Sequence, residues 1–308
     1  MAVLSVSFSI DDNQHLIATV PSVTAPGDPP NTLDVENPLP PAQSQTFNNF
    51  AGTADLGAAT SGAYLISLTL NGIDTCEAAI NIFGLPGALS IGCGVAVTAS
   101  PSTLGFDCDG HLPAAAFAVF QNTLSYGFGI RYVSRGTPYT RDIDSAETGA
   151  FLSADMPLLL VQHPPVPQWE VVPDNGTAWG AAATANAAIA CVPKGVSIFC
   201  DLEEVQDGSS VADITDFCNN WSASVAKAGY IPGLYVGSNC GLSDDQLSAL
   251  NFVVFWKSCS NVPTPTQGYA MIQGPCDVQR GDATVMVSVD ENNISSTPGA
   301  LAWLKKQS

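Results

Sequence analysis

The sequence predicts an α/β fold: a (β/α)8 TIM-like barrel preceded by a small all-β, sandwich-like N-terminal domain. Three observations predict it. Residues 1 to about 100 alternate apolar and polar side chains with period two and show no helical period. From Leu104 onward, short apolar runs alternate with helix-like stretches. Two of those runs, Gly105-Phe106-Asp107-Cys108-Asp109 and Val196 through Glu204, stop abruptly in carboxylates. A strand buried on both faces reads as a continuous apolar run, and the working side chains of a β/α barrel sit where such strands end.

In the first part, Val6, Phe8 and Ile10 alternate with Ser5, Ser7 and Ser9. Tyr64, Ile66, Leu68 and Leu70 alternate with Leu65, Ser67 and Thr69, and Leu89, Ile91, Cys93, Val95 and Val97 alternate with small or polar residues. This is the pattern of an antiparallel sheet with one wet face. The stretch Pro21 to Pro41 is rich in proline. Proline fixes φ and lacks a donor, so an extended loop or arm, poorly paired in any central sheet, is expected there. Ser100-Pro101-Ser102-Thr103 marks a boundary between domains 1–100 and 101–308.

In the second part, strands are expected at Leu104–Asp109, Phe128–Val133, Pro157–Gln162, Val196–Asp201, Ile231–Val236, Phe252–Trp256, Tyr269–Gln273 and Thr284–Val289. Helices are expected at Pro113–Leu124, at Asp144–Ala154 with Asp144 as N-cap, and at Thr177–Ala190. Others are expected at Ser210–Ala228 ended by Gly229, from Ser243 to Leu250, and at Pro298–Lys306. Strict alternation implies a parallel sheet, and eight units favour closure. The connection between strands six and seven is too short for a full helix, which predicts an irregular barrel at that point.

Composition narrows the function. With 46% hydrophobic and 12% charged residues, the 308-residue chain is globular. Its 28 acidic residues against 9 basic ones give a net charge of −19. That argues against nucleic acid as a partner, and against steering toward anionic surfaces. No apolar run of about 18 residues exists, so no membrane insertion is expected, and Met1 to Ile10 lacks the pattern of a signal peptide. The nine cysteines include no Cys-x-x-Cys, and the three histidines lie far apart in sequence. No metal and no cofactor are expected. The cysteines read either as small buried hydrophobes or as disulfides of an oxidising compartment, with Cys76–Cys93 and Cys259–Cys276 as candidate pairs. The second reading suits an extracellular or cell-surface protein.

The pieces Gly105-Phe106-Asp107, Ile130-Arg131-Tyr132, Ala146-Glu147, Gln162, Ile198 to Asp201 with Glu203, Gly229 to Tyr235, Trp256, Gln273, and Val289-Asp290 with Asn292 occur in a characteristic order and spacing. Residues from about Leu104 to Ser308 thereby resemble the glycoside-hydrolase-like barrels related to the family-25 lysozymes (N-acetylmuramidases). The resemblance implies that Asp107, Asp201, Glu203 and Asp290 line a sugar site. It implies Tyr132, Tyr235, Trp256 and Gln273 as substrate-binding residues, and a polysaccharide or peptidoglycan as partner. The resemblance does not extend to residues 1–100.

The residues themselves agree. Asp201 and Glu203 share strand parity, so both can face the barrel mouth while Leu202 faces away. Glycoside hydrolysis needs a protonated carboxyl for the leaving oxygen and a second carboxylate at the reaction centre or at the water. Crowding acids in one cleft keeps a proton available. Glu203 is expected as general acid, with Asp201 and Asp107 as partners. Asp290 reads equally as a turn or cap acid, Asp109 as a cap or loop acid, and Glu204, of the wrong parity, as a solvent residue. Tyr132, Trp169, Trp179, Tyr235 and Trp256 read either as sugar-stacking aromatics or as packing. Arg131 is expected to pair with the acid cluster, and His163 to be a loop hydrogen-bonder. No phosphate loop or nucleophile elbow occurs. A second functional reading keeps the barrel as a non-catalytic scaffold or glycan-binding head that self-associates through the N-terminal domain.

Overall fold

The computed structural model describes residues 7–19, 32–37, 43–48, 52–70, 73–85 and 88–307. Eight strands come first: β1 (Ser7–Ile10), β2 (His15–Thr19), β3 (Thr32–Asn37), β4 (Gln43–Asn48), β5 (Thr53–Ala58), β6 (Gly62–Leu70), β7 (Ile73–Leu85) and β8 (Ala88–Thr98). β1, β2 and β5 form a three-stranded antiparallel sheet, and β8-β7-β6-β3-β4 form a second antiparallel run. Phe8, Leu16, Ala18, Ala54 and Leu56 of the first sheet pack against Ile66, Leu68, Ala78, Ile80 and Ile82 of the second. Those residues alternate along their strands, as the period-two pattern requires. The proline-rich stretch departs from expectation: β3 lies inside it, paired between β4 and β6. The six residues of β3 contain no proline, so every backbone N–H is available to a ladder. The flanking prolines lie outside the described residues.

The rest of the chain builds a closed barrel of eight strands. The elements of this part are, in order, β9 (Leu104–Asp107), α1 (Ala114–Asn122), β10 (Gly129–Val133), α2 (Ser145–Ser153), β11 (Leu158–Gln162), α3 (Pro173–Ile189), β12 (Ser197–Leu202), α4 (Val211–Lys227), β13 (Ile231–Val236), α5 (Asp244–Ser248), β14 (Val254–Lys257), β15 (Met271–Gln273), β16 (Val278–Gly281), β17 (Met286–Ile294) and β18 (Ala302–Lys306), with β16 and β18 outside the ring. Strands β9 to β15 run parallel, and β17 closes the ring between β15 and β9. The protein is therefore mixed α/β with a mostly parallel, TIM-like barrel and few helices. Side-chain caps set three of the helix starts. Asp144 accepts the Glu147 amide, Ser210 accepts that of Asp213, and Ser243 with Gln246 makes a capping box.

Two expectations are corrected. The eighth barrel strand is antiparallel, because β16 folds back onto β17 as a hairpin and delivers the chain from the opposite end. The Pro298–Lys306 segment forms the strand β18 at Ala302–Lys306 rather than a helix. Gly299, at φ 62°, turns the chain, and β18 then fills the open edge of β8 and touches β11 at Leu158. Edge pairing and burial outweigh helix propensity here. Leu301 and Trp303 join Ala99 and Phe128 under the barrel interior, which closes its floor. The same strand makes one continuous sheet of the N-terminal run and the barrel.

Strand parity sorts the core. Ile130, Leu159, Val161, Phe199, Val254, Trp256, Met271 and Ile294 fill the barrel. Their strand neighbours Phe106, Leu158, Leu160, Ile198, Cys200, Leu234 and Phe255 pack outward with the helices and other surrounding residues. Every inward position at the upper strand ends is thereby aimed at one mouth.

Candidate active site

Asp107 ends β9, and Asp290 lies directly opposite it on the antiparallel β17. Asp201 lies on β12, two residues beyond the inward-facing Phe199, and Glu203 follows with the same parity. Leu202 packs outward, as the parity argument requires. The four acids expected from the sequence thus come together at one rim.

Neutral donors hold Asp107. Gln273 Nε2 donates to its Oδ2 at 2.9 Å, Asn292 Nδ2 to the same oxygen at 2.7 Å, and the Tyr132 hydroxyl to Oδ1 at 3.2 Å. Gln273 Nε2 also donates to Asp290 Oδ2 at 3.0 Å, so one amide bridges two carboxyls. Its Oε1 in turn accepts from the Tyr235 hydroxyl at 2.9 Å and from the Cys259 amide at 3.3 Å. Cys259 is joined to Cys276 by a disulfide, which bears out that pairing. The other candidate pair, Cys76–Cys93, lies on β7 and β8, and its side chains are outside those described. Cys108, Cys191, Cys200, Cys218 and Cys240 are free and buried, as the small-hydrophobe reading has it.

Burial and mutual repulsion raise the acids' pKa values. The Asp107 carboxyl is pushed up to about 7, first by burial and then by Asp290, against the pull of its three donors. Asp201 is driven well above the carboxylate range by burial, then by Glu203 and Asp107. Its Oδ1 is buried without a hydrogen-bond partner, which further disfavours the ionised form. Glu203 is raised by burial and by Glu204 and Asp290, and Asp290 is raised chiefly by burial. Among the described residues no ion pair reaches any of the four.

A cleft of about 430 Å³ opens beside this cluster. Asp201, Glu203 and Tyr132 line it from the barrel, and Arg135, Tyr139, Arg141 and His163 line it from the loops after β10 and β11. Gly237 lets Glu203 reach its place: a Cβ there would overlap the Glu203 Cβ and carboxyl. Tyr235 and Trp256 sit lower, in the barrel core, with ring centroids 4.5 Å apart. Trp169 and Trp179 pack together with Phe217 on α4.

Three further expectations need correcting. Arg131 points outward from β10 into a buried ion pair with Glu147, at 2.9 Å, and also donates to the carbonyls of Cys108 and Arg141. Its parity is opposite to that of Tyr132, so it cannot reach the acids. Glu204 is half-buried and accepts from the Ser238 hydroxyl. Asp109 forms an ion pair with Arg141 at 2.7 Å instead of capping a helix. His163 makes the hydrogen bond expected of it, to Asp142 at 2.7 Å, and stacks on Tyr132 with centroids 4.7 Å apart. The sequence reading passed over Asn292 as a site residue, although it shares parity with Asp290. It also passed over Arg135, a cation just past a strand end in a chain with nine.

This architecture matches known proteins. The family model of the Rv2525c-like, glycoside hydrolase-like domain matches residues 121–294, and the chain belongs to that family. The matched segment contains Asp201, Glu203, Gln273 and Asp290, and Asp107 precedes it. An uncharacterised B. stearothermophilus protein is 17% identical, with a TM-score of 0.50 over 65% of this chain and 99% of its own. The Clostridium perfringens spore cortex lytic enzyme SleM is 14% identical, with a TM-score of 0.50 over 64% of this chain and 68% of its own. The Mycobacterium tuberculosis Tat-secreted protein Rv2525c, solved with L-tartrate, is 16% identical, with a TM-score of 0.49 over 64% of this chain and 98% of its own. No curated protein matches the sequence. At these identities the likeness establishes the fold.

Proposed function

We propose that the protein is a glycosidase of β-linked amino-sugar polymers, with peptidoglycan as substrate, that works through its strand-end carboxyls. The observation that carries this reading is the convergence of Asp107, Asp201, Glu203 and Asp290 on one rim without a counter-ion, with Asp201 and Glu203 on an open cleft. In this reading Glu203, raised in pKa and half-exposed, protonates the departing glycosidic oxygen. Asp201 and Asp107 are its partners at the reaction centre, and Asp290 keeps a proton in the cluster. Tyr132 meets the sugar, while Gln273, Tyr235 and Trp256 hold the acids from beneath. The family's glycoside hydrolase-like description and the fold shared with a spore cortex lytic enzyme support the substrate class.

Residues 101–308 form the hydrolase-like unit in this reading, and residues 1–100 a sandwich-like unit flanking it. The Cys259–Cys276 disulfide supports an extracellular site of action. The test is turnover of purified cell wall by the parent protein and by Glu203→Gln. Removing a general acid lowers the rate by about 100-fold or more. Equal rates from two folded proteins would take Glu203 out of the mechanism.

A further inference from the structure

The cleft carries two cations that hydrolysis does not use. Arg135 and Arg141 both line it, in a chain with only nine basic residues and a net charge of −19. Their situations differ. Arg141 is paired with Asp109 at 2.7 Å. Arg135 forms no ion pair among the described residues, and its buried Nε has no hydrogen-bond partner. Its guanidinium sits over the Trp179 ring, 4.7 Å from the centroid. A guanidinium held on an aromatic face is fixed in place while its N–H edge stays open to a planar acceptor. Among the described residues no acceptor on the protein side meets that edge, in a chain with 28 acidic residues.

We infer that Arg135, seconded by Arg141, forms a carboxylate-binding subsite, so that the saccharide taken by this cleft carries a carboxyl group beside the reacting unit. The inference rests on the hydrolytic reading for the saccharide, and on its own residues for the carboxylate. Arg135 follows β10 and the Asp201–Glu203 pair ends β12, two strand spacings away, roughly 10 Å. That separation places the subsite next to the reaction centre and not on it. It also suits the charge pattern. A substrate carboxylate pressed among four acids would be repelled, whereas one held at Arg135 gains a charge-assisted, bidentate pairing. Two sources supply this chemistry in glycans: the lactyl carboxylate of a muramyl residue that bears no stem peptide and the ring carboxylate of a uronic acid.

The test measures binding to full-length Glu203→Gln, so that no turnover intervenes. The probes are a peptide-free N-acetylglucosamine–N-acetylmuramic acid tetrasaccharide, its methyl ester and a tetrauronate. A carboxylate held by Arg135 predicts that at least one acid probe binds 10-fold or more tighter than the ester. Arg135→Gln then removes that preference and leaves ester affinity unchanged. Preference for the muramyl acid assigns the lactyl group, and preference for the tetrauronate assigns the ring carboxylate; either supports the subsite. Equal binding of acids and ester, no binding of any probe, or a uniform loss for all three on Arg135→Gln would overturn it. A carboxylate preference in a parent protein that cleaves nothing would sink the hydrolytic reading and leave the subsite standing.

Discussion

Asp107→Asn is expected to make the protein more stable in mild alkali while damaging its site. Asp107 is buried, and its carboxyl is pushed from the ordinary 3.8 up to about 7. The unfolded chain gives up this proton near 3.8, so between those values the folded state holds more protons than the unfolded one. Stability therefore falls as pH climbs through that window. Three pKa units correspond to about 4 kcal/mol at about 1.36 kcal/mol each. Asparagine carries no charge, so this cost vanishes above pH 7. Against that, the amide must turn Nδ2 toward a neighbour that now donates to Asp107, either Gln273 or Asn292 on one side or Tyr132 on the other. Losing an acceptor for a buried donor costs about 1–2 kcal/mol. The net expectation is that Asp107→Asn is about 2 kcal/mol more stable than the parent at pH 8 and slightly less stable at pH 4. Urea unfolding of both proteins at intervals from pH 4 to 8 measures this. A parent curve that is flat across the window, or a variant less stable at pH 8, would refute the claim that Asp107 is held protonated by its surroundings.

Other perturbations separate the site from its supports. Arg131→Leu leaves Glu147 buried without its charge partner, so thermal unfolding should show a loss of about 3–5 kcal/mol. Gly237→Ala should cut turnover about 10-fold or more with little change in melting temperature, because the added methyl displaces Glu203 without opening the core. Replacing both Cys259 and Cys276 by serine releases a link across 17 residues and should cost about 3 kcal/mol in denaturant unfolding. The same change should also lower turnover, since Cys259 helps hold Gln273 under the acids.

Much of the barrel was legible because most of its strands are buried on both faces and three of its helices begin at side-chain caps. Both are local signals, as at Ile231–Val236 and at Asp144, Ser210 and Ser243. The convergence of Asp107, Asp201 and Glu203 was legible from strand ends and parity, whereas Asp290 entered only through the family resemblance. What escaped was set by tertiary partners. Pro298–Lys306 has a plausible helix start, yet the open edge of β8 and the empty barrel floor claim it as a strand. The direction of β17 depends on the hairpin with β16, and no periodicity separates an antiparallel closing strand from a parallel one. Arg131 was misplaced for a different reason. Its charge suggested the acids, whereas the parity argument already applied to Asp201 and Glu203 would have sent it outward beside Tyr132.

The scarcity of cations explains how the site keeps its protons. Among the described residues, every ion pair made by an arginine or lysine lies away from the four acids. Arg131 meets Glu147 outside the barrel, Arg280 meets Glu291, Lys194 meets Glu77, and Arg141 meets Asp109. Lys257 follows the inward-facing Trp256 at the strand-six end, yet its ammonium turns to the Ser258 and Ser260 carbonyls. A lysine or arginine within about 4–6 Å of Glu203 would pull its pKa down by about 1–3 units and discharge the proton that acid catalysis needs. Asp107 is instead held by Gln273, Asn292 and Tyr132, neutral donors that fix geometry while burial keeps its pKa high. Neutral donors at Asp107 and ion pairs made elsewhere are one arrangement. Together they let four carboxyls share a rim at neutral pH without all being ionised at once, the condition that the proposed proton transfer to a leaving group requires.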